Sequence, residues 1–173
     1  MTFNLQPVLQ SEQLLLRPLA VDDLDVLFEV ASDPLIWEQH PNSDRYKRDV
    51  FEKFFNDALA SGGALVAIDR ENNKVIGSSR FFGLDQENSE IEIGWTFLSR
   101  SHWGGEVNSE MKRLMLKHAF KYVKNVVFMI GPNNMRSRKA VEKIGAVHIG
   151  SRTRGGVESV VYRINQLPAS CQV

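Results

Sequence analysis

The sequence predicts a mixed α/β fold in which a central, mostly antiparallel sheet of about seven strands carries about four helices. Two observations support this prediction. Three apolar segments joined by short polar turns follow one another in the middle of the chain, a pattern typical of antiparallel strands. The second half contains two strand–helix–strand units, which place their helices on a sheet face. The predicted order is strand, helix, helix, three strands, helix, strand, helix and two strands.

The first half begins with the predicted strand "LLLRPL" at 14–19 and continues into two helices. Apolar residues recur every third or fourth position in 21–34, which predicts an amphipathic helix capped by Asp22. A second helix is predicted from 43 to 60 and ends before Gly62. The side chains expected to face inward are Leu24, Leu27, Phe28 and Ala31 in the first helix and Tyr46, Val50, Phe54 and Ala58 in the second.

Three strands are predicted next: "ALVAID", "VIGSSRFFGLD" and "EIEIGWTFL". A buried strand, "VVFMIG", then precedes a short helix that Gly145 ends. The last two strands flank Gly155-Gly156, a pair typical of a tight hairpin turn. Between the third of these strands and "VVFMIG" lies the third helix, whose inward residues are Met111, Leu114, Met115 and Ala119.

The composition is that of an ordinary globular protein, with 43% hydrophobic and 24% charged residues in a chain of 173. This length suits one domain, so 1–173 is predicted as a single domain with a core at 12–165 and a tail at 166–173. No apolar run is long enough for a membrane span, and signal-peptide features are missing from the first residues. One cysteine, Cys171, excludes an internal disulfide. We therefore expect a cytoplasmic protein without a membrane partner.

The formal net charge is zero, but the charges are unevenly divided along the chain. Residues 1–99 contain 8 basic and 17 acidic side chains, whereas 100–173 contain 13 and 4. This division suggests an anionic ligand over the second half and a cationic one near the first, unless folding interleaves the halves. Nucleic acid is not expected as a partner, because the basic residues are not interleaved with aromatic ones and no RNA-binding motif is present.

The segment "RSHWGGEVNSEMKRLMLKHAF" at 100–120 places two glycines directly before a helix. A strand, a turn without side chains and a helix N-terminus together present unpaired backbone N–H groups that suit a phosphate. Alternatively, Gly104-Gly105 only form the tight turn between strand and helix. The dinucleotide fingerprint is absent, and no Lys-Ser/Thr pair follows the glycines as in a nucleoside-triphosphate loop.

Four segments, in the right order, resemble the GNAT superfamily of N-acetyltransferases: "LLLRPL", "EIGWTFLSRSHWGGEVNSEM", "HAF" and "NNMRSRKAVEKIGAVHIGS". Within that superfamily the chain resembles the bacterial group that acetylates the N-termini of ribosomal proteins. The resemblance extends from Leu14 to Ile164. It implies a GNAT-like fold, acetyl-CoA as co-substrate and an amine as acceptor.

The resemblance also implies a CoA site. In the family, the loop before the third helix binds the pyrophosphate, and the pantetheine arm lies along the strand that here carries Ile93 to Leu98. The residues implied are Trp103, Gly104, Gly105, Glu106, Val107 and Asn108 in the loop, Ser109 at the start of the third helix, Asn134 and Ser137 in the next loop, and Arg136, Arg138 and Lys139 near the adenosine phosphate.

Glu106 departs from the family pattern, which usually has glycine at this position. A carboxylate that faces the pyrophosphate would repel it at a cost of about 1 kcal/mol. Turned outward, the same carboxylate would stabilise the helix start and would have Arg100, Lys112 and Arg113 as partners. We expect the outward orientation.

Direct attack of an amine on the thioester is predicted, because the one cysteine lies in the tail and leaves no nucleophile for a covalent acetyl-enzyme. The amine needs a base. Glu92 is the first candidate, since it lies on the strand that would carry the thioester, where family members often place a carboxylate. Glu90 shares its face and would raise its pKa, unless both are solvated on an exposed face. His102 is the second candidate base.

The departing thiolate and the oxyanion need hydrogen-bond donors. Backbone N–H groups near Phe97 and Leu98 are predicted to stabilise the oxyanion. Ser137 lies where relatives use a serine to protonate the thiolate, although a serine at a helix start also serves as an N-cap. Tyr122 and Tyr162 are further candidates for the proton donor.

The acceptor site is predicted to be an apolar slot with an acidic mouth for a cationic amine, lined by Trp37, Phe82 and Glu92. The first candidate acceptor is a protein or peptide N-terminus, such as that of a ribosomal protein, and the second is a small amine or polyamine. The alternative to catalysis is an acyl-CoA-binding module, which Glu106 suggests. No metal is expected, because the four histidines lack ligand-like spacing.

Overall fold

The computed structural model of this chain describes residues 2–168. That part of the chain forms one eight-stranded sheet and four α-helices. The strands are β1 (Leu9–Gln10), β2 (Leu14–Pro18), β3 (Ala64–Asp69), β4 (Lys74–Asp85), β5 (Glu90–Leu98), β6 (Asn125–Ile130), β7 (Val147–Arg154) and β8 (Val157–Ile164). The helices are α1 (Leu24–Ala31), α2 (Arg48–Ser61), α3 (Val107–Ala119) and α4 (Met135–Lys143).

The strands lie side by side in the order β1-β2-β3-β4-β5-β6-β8-β7. All neighbouring strands are antiparallel except β5 and β6, which are parallel. The predicted mixed, mostly antiparallel α/β fold is therefore confirmed, and so is the predicted order of elements. The one addition is β1, whose two residues are too few to show an apolar period in the sequence.

Two apolar clusters cover the two faces of the sheet. In β3, Leu65 and Ala67 belong to the cluster that includes the buried side of α3, whereas Ala64 and Val66 belong to the cluster that includes α1 and α2. This alternation follows from the two-residue period of a strand. The helix residues predicted to face inward on α3 are all buried, namely Met111, Leu114, Met115 and Ala119.

The beginnings of α1 and α2 differ from the prediction. Asp22 is exposed, and it is the Asp23 carboxylate that accepts the Ala20 N–H at 2.8 Å and pairs with Arg17. A short 3-10 turn precedes α1 and shifts the bonding acid by one residue. The second helix begins five residues later than predicted and turns Phe51, Phe54, Phe55 and Ala58 inward, whereas Tyr46 and Val50 are half-buried.

β5 contains a bulge at Trp95. Ser78 of β4 lies opposite Phe97 of β5, and two residues further on Arg80 lies opposite Gly94. β5 thus has one residue more than β4 between these two pairs. Trp95 adopts a φ of 51°, which is uncommon for a residue with a side chain. A bulge of this kind bends the strand and changes the direction of its side chains.

The parallel pair β5–β6 separates close to this bulge. Its ladder runs only from Glu90 to Glu92 on β5 and from Asn125 to Val127 on β6. Beyond Glu92 the two strands, both within the described part of the chain, no longer pair. The remainder of β5 therefore presents an open edge, whose backbone groups have no partners in β6.

The predicted hairpin of the last two strands is confirmed as β7–β8. Its turn residues, Gly155 and Gly156, have φ values of 58° and 78°, which glycine adopts at little cost. β8 rather than β7 pairs with β6, so β7 is the edge strand and all of its residues are exposed. Among residues 2–168 no helix has the length and apolar character needed to cross a lipid bilayer.

Candidate active site

The glycine pair forms an open turn between β5 and α3. Gly104 has a φ of 72°, a conformation that favours glycine. A Cβ atom added at Gly104 or Gly105 would meet no heavy atom within 4 Å. The first glycine therefore provides the conformation of the turn, and both leave space beside its backbone.

The N-terminus of α3 follows this turn directly. The helix begins at Val107, two residues before the predicted start at Ser109, and its N-cap residue, Glu106, makes no side-chain cap hydrogen bond. The first N–H groups of α3 are therefore not capped by that carboxylate. Because the N-terminus of a helix is also the positive end of its dipole, this point of the molecule suits an anion.

Glu106 is exposed, in agreement with the expected outward orientation. Its predicted partners bind elsewhere. Arg100 forms an ion pair with Asp33, Lys112 donates to Asn108 Oδ1 at 2.9 Å, and Arg113 pairs with Glu110 at 2.6 Å. The last pair is three residues apart on α3, and the Lys112–Asn108 pair is four apart, which are the spacings that bring side chains together on a helix.

The glycine turn lies against the start of α4. The Arg136 guanidinium stacks over the Trp103 ring, 3.8 Å from its centroid, and donates to the Ile36 carbonyl oxygen at 3.1 Å. Trp103 Nε1 in turn donates to the Leu98 carbonyl oxygen at 3.0 Å. The structure thus brings together the two loops and the end of β5, the three parts from which the sequence predicted a CoA site.

Asn134 and Ser137 have different roles at the start of α4. Asn134 is buried, and its Oδ1 accepts the Ser137 N–H at 3.3 Å, so Asn134 is the N-cap. The alternative in which Ser137 caps the helix is therefore wrong. Within residues 2–168 the Ser137 hydroxyl makes no hydrogen bond, and this half-buried group remains available to a ligand. The Tyr162 hydroxyl, by contrast, donates a hydrogen bond to the Glu142 carboxylate at 2.7 Å.

Glu92 is buried, with 5% of its surface exposed. Its Oε2 accepts a hydrogen bond from Arg154 at 2.5 Å. Burial raises the pKa of Glu92 above its ordinary value of 4.5, and the neighbouring Arg154 offsets part of this effect. Glu90 is buried as well and pairs with Arg152 and Arg163. The alternative of two solvated carboxylates is thus wrong, and burial rather than Glu90 raises the pKa.

His102 belongs to a hydrogen-bonded group at the end of β3. Its Nε2 lies 3.1 Å from the Asp69 carboxylate and its Nδ1 lies 2.6 Å from the Ser99 hydroxyl. Both ring nitrogens therefore have protein partners, and the imidazole connects the segment after β5 to β3. These contacts explain its half-buried position without a catalytic role.

Trp37 and Phe82 lie in different surroundings. Trp37 is 2% exposed, packs on the Phe97 ring at 5.1 Å and donates its Nε1 proton to the Ala31 carbonyl oxygen. Phe82 is half-buried, lies opposite Glu92 and packs on Trp95. The predicted apolar slot of Trp37, Phe82 and Glu92 is therefore not continuous, because Trp37 belongs to the core under α2.

Three arginines that the sequence analysis did not single out connect these residues. Arg45 stacks over Trp37 and Phe54, Arg80 over Phe54 and Trp95, and Arg154 over Trp95 and Phe82. One feature of the sequence could have indicated this grouping, because Arg80 and Phe82 lie on the same face of a predicted strand. We call this set the arginine–aromatic array; it consists of Trp37, Arg45, Phe54, Arg80, Phe82, Trp95 and Arg154.

A turn with space beside its backbone, a helix N-terminus and an open strand edge together suit a ligand that carries phosphates, and comparison with known proteins identifies the family. Residues 13–147 match the Acetyltransferase (GNAT) domain. The chain therefore belongs to the GNAT family, is an acetyl-transferring enzyme, and has the co-substrate of that family, acetyl-CoA. Across residues 2–168, no three His, Cys, Asp or Glu side chains are grouped so that they could hold a metal ion.

The chain is similar to one curated relative and to solved structures of the same fold. It is 30% identical over 143 residues to the uncharacterised N-acetyltransferase p20 of Bacillus licheniformis, and the match covers 79% of this chain and 80% of p20. A provisionally assigned ribosomal-protein-serine acetyltransferase from Vibrio cholerae has a TM-score of 0.75 at 12% identity, covering 96% of this chain and all of that one.

A second structure from Vibrio cholerae is the spermidine N-acetyltransferase in complex with CoA and spermine. It has a TM-score of 0.67 at 17% identity, and the match covers 94% of this chain and 100% of that chain. At these identities the two Vibrio structures establish the fold alone.

Proposed function

We propose that this enzyme transfers an acetyl group from acetyl-CoA to the primary amine of a protein or peptide N-terminus by direct attack in a ternary complex. The observation that carries the proposal is the position of Glu92. This buried carboxylate lies at the last paired residue of β5, directly before the edge that opens toward β6. A base at this point faces a thioester that lies along the open edge.

The described residues fit CoA. Gly104 and Gly105 leave room for the pyrophosphate, and the uncapped N–H groups at the start of α3, from Val107 on, would bind it. The open edge of β5 would pair with the pantetheine arm as an added strand does. The bound co-substrate supplies an activated acetyl group. Arg136, whose guanidinium is stacked on Trp103, adds positive charge beside the turn.

Glu92 would accept the proton of the attacking amine, directly or through a water molecule. Its raised pKa makes it a stronger base than an exposed carboxylate. Arg154 holds one carboxylate oxygen at 2.5 Å, which fixes the orientation of the side chain. The Ser137 hydroxyl, which Asn134 frees from capping, would hydrogen-bond the departing thiolate, and N–H groups near Phe97 and Leu98 would bind the oxyanion.

The acceptor is the finer part of the proposal. Two observations favour an N-terminus: the motifs resemble the ribosomal-protein N-acetyltransferases, and one neighbour in fold carries such an assignment. A small amine or polyamine is the second candidate, because another neighbour in fold is a spermidine N-acetyltransferase. The protein partner of the first candidate would be a ribosomal or other protein N-terminus.

A screen of amine acceptors with acetyl-CoA tests the proposal. Synthetic peptides, free amino acids and polyamines are incubated separately with the enzyme, and mass spectrometry detects the gain of an acetyl group. We expect acetylation of peptides at the first residue only. Acetylation confined to polyamines supports the second candidate instead, and thiol release without any acetylated amine contradicts both.

A further inference from the structure

Arg80 is buried without a partner for its charge. Only 5% of its surface is exposed, yet its guanidinium makes no hydrogen bond or ion pair within residues 2–168. Nε is enclosed with no acceptor near it, whereas the two Nη atoms are not enclosed to the same degree. A buried guanidinium with unpaired donors costs free energy unless an acceptor binds it.

Two aromatic rings lie close to this guanidinium. The Arg80 guanidinium carbon lies 4.3 Å from the Trp95 ring centroid and 5.7 Å from that of Phe54. Cation–π contacts of this kind stabilise the charge. They use none of the five N–H donors, which lie in the guanidinium plane and match a carboxylate in geometry.

Arg45 adds a second buried cation to the same array. It is 9% exposed, and its guanidinium stacks over Phe54 at 4.6 Å. Its one polar neighbour in the described part of the chain is His40, whose Nε2 lies 3.3 Å away. Burial and the charge of Arg45 lower the pKa of His40 to about 3, so this neighbour is neutral and offsets no charge. Burial lowers the pKa of Arg80 to about 10, so Arg80 remains charged at neutral pH.

The two carboxylates that attract Arg80 each form an ion pair with another cation. Glu92 and Asp57 both attract Arg80, but Glu92 is bound by Arg154 at 2.5 Å and Asp57 by Lys53 at 2.9 Å. Arg80 and Arg45 therefore form a positively charged site. Within residues 2–168, neither guanidinium forms an ion pair with a carboxylate.

This site shares a wall with the proposed base. Arg80 of β4 lies opposite Gly94 of β5, and Phe82, two residues on, lies opposite Glu92. The bulge at Trp95 places an indole over Arg80 on the same wall. An acceptor whose amine points to Glu92 thus has its neighbouring groups close to Arg80.

We propose that the acceptor carries a carboxylate beside its amino group and that Arg80 binds this carboxylate, with Arg45 adding attraction. This inference rests on the proposed acetyl transfer to an amine. The carboxylate comes either from the acidic side chain of a peptide's first residues or from a free amino acid. The same chemistry disfavours polyamines, whose additional positive charges Arg80 and Arg45 would repel.

Matched acceptors test the proposal. Peptides that begin with Asp or Glu are compared with peptides that begin with Asn or Gln, and free amino acids with their carboxamides. In the matched pair that the enzyme uses, we expect kcat/KM to be about 10- to 100-fold higher for the acceptor with the carboxylate than for the acceptor with the amide. This factor corresponds to the strength of a hydrogen bond to a charged group. The first pair reports a peptide source and the second an amino acid source. Equal kcat/KM values within both pairs overturn the proposal.

Variants assign the preference to Arg80. Arg80→Met should abolish the preference, so that the two acceptors of a matched pair give equal kcat/KM values, whereas Arg80→Lys should retain part of it. Arg48→Met is the matched control, because Arg48 is a half-exposed arginine of α2 that pairs with Asp25 and Glu52 outside the array; it should keep the full preference. An Arg80→Met variant that slows both acceptors equally contradicts the proposal. If Arg80→Met does not fold, Arg80→Lys serves as the test, and its preference for the carboxylate should be smaller than that of the wild type.

Calorimetry separates a failure of this inference from a failure of the proposed function. N-acetylaspartate and its diamide are titrated into the CoA-loaded enzyme without turnover. Tighter binding of the carboxylate, lost in Arg80→Met, supports the inference even if no amine is acetylated. Equal binding of both compounds contradicts it even if amines are acetylated.

Discussion

At the scale of single residues, the surroundings of Glu92 decide what this carboxylate does. Two carboxylates of β5, Glu90 and Glu92, are both buried and both paired with arginines from the terminal hairpin. Glu90 has two such partners and Glu92 has one. Glu92 is the last residue of β5 that pairs with β6, so it lies next to the open edge of β5.

Replacing Glu92 should remove the base. We expect Glu92→Gln to lower kcat by about 100-fold, since general-base catalysis contributes on this scale. In the wild type, kcat/KM should fall as the pH drops through the raised pKa of Glu92, because the protonated carboxyl cannot accept a proton. Because the pKa is raised from 4.5, this fall in kcat/KM should have its midpoint above pH 4.5. It should be absent from the pH profile of the Glu92→Gln variant.

Glu90→Gln is the matched control, since it is the same change on the same strand. It should leave kcat and the fall in kcat/KM at acidic pH unchanged but lower the thermal midpoint, because Arg152 and Arg163 lose their partner. Equal losses of kcat in the two variants would show that Glu92 stabilises the folded structure and does not act as the base.

Lys112 provides a second prediction at this scale. Its side chain is 6% exposed, and burial lowers its pKa to about 8 from 10.5. The charged form is therefore penalised in the folded state, and at pH 7 this reduces the free energy of unfolding. We expect Lys112→Met to increase that free energy by about 3 kcal/mol at pH 7, measured by urea denaturation.

The sign of this effect can be checked with pH. As the pH rises from 8 toward 10.5, the folded protein releases the Lys112 proton before the unfolded chain does, so the wild type gains stability. The difference between wild type and Lys112→Met should shrink over this range. A constant difference would mean that Lys112 is not penalised by burial.

At the scale of elements, the turn before α3 combines two different uses of glycine. Gly104 adopts a positive φ that favours glycine, whereas Gly105 has no positive φ and leaves open space beside its backbone. The helix that follows offers N–H groups that its N-cap residue, Glu106, does not take up. The bulge in β5 and the short β5–β6 ladder complete the same region.

Adding a methyl group at Gly105 separates binding from folding. In the free protein the new Cβ meets no atom within 4 Å, so Gly105→Ala should leave the thermal midpoint unchanged. The methyl group would occupy the space of the pyrophosphate, and we expect the Kd for CoA, measured by calorimetry, to rise about tenfold, equivalent to roughly 1.4 kcal/mol.

Gly104→Ala is the comparison for this prediction. It should weaken CoA binding and also destabilise the free protein, since alanine at a φ of 72° is strained. If Gly105→Ala binds CoA as tightly as the wild type, the pyrophosphate does not lie on this turn.

At the scale of the whole molecule, the fold separates two strands that would otherwise pair. Apolar clusters cover both faces of the sheet, whereas β5 and β6 pair only from Glu90 to Glu92 and leave the rest of this edge of β5 open. A ligand that binds along this edge adds contacts to the folded state only. It should therefore stabilise the protein against unfolding.

CoA should raise the thermal midpoint. At 100 times its Kd, a ligand that binds only the folded state adds about 2.7 kcal/mol, which for a chain of this size corresponds to about 5–10 °C. Differential scanning fluorimetry with and without CoA measures this shift. Pantetheine, which lacks the phosphates, is the control and should produce a smaller shift at the same concentration. Equal shifts would show that the phosphates are not bound.

The predictable part of the structure follows from short-range chemistry. The strand "EIEIGWTFL", the inward face of α3 from Met111 to Ala119 and the turn at Gly155-Gly156 were all predicted, because apolar period and glycine conformation are local properties. The errors have local causes too. Asp23 replaces Asp22 because a 3-10 turn shifts the register, and β1 is too short to carry a period.

The sequence by itself determined the fold class, the order of elements and the segments from which a CoA site would be built, since these depend on neighbouring residues. Tertiary structure alone decided that Glu92 is buried beside Arg154 and that Trp37 is in the core. It also decided that Arg80 lies unpaired among aromatic rings. These contacts join residues far apart in the chain, and charge and burial depend on what surrounds a side chain in space.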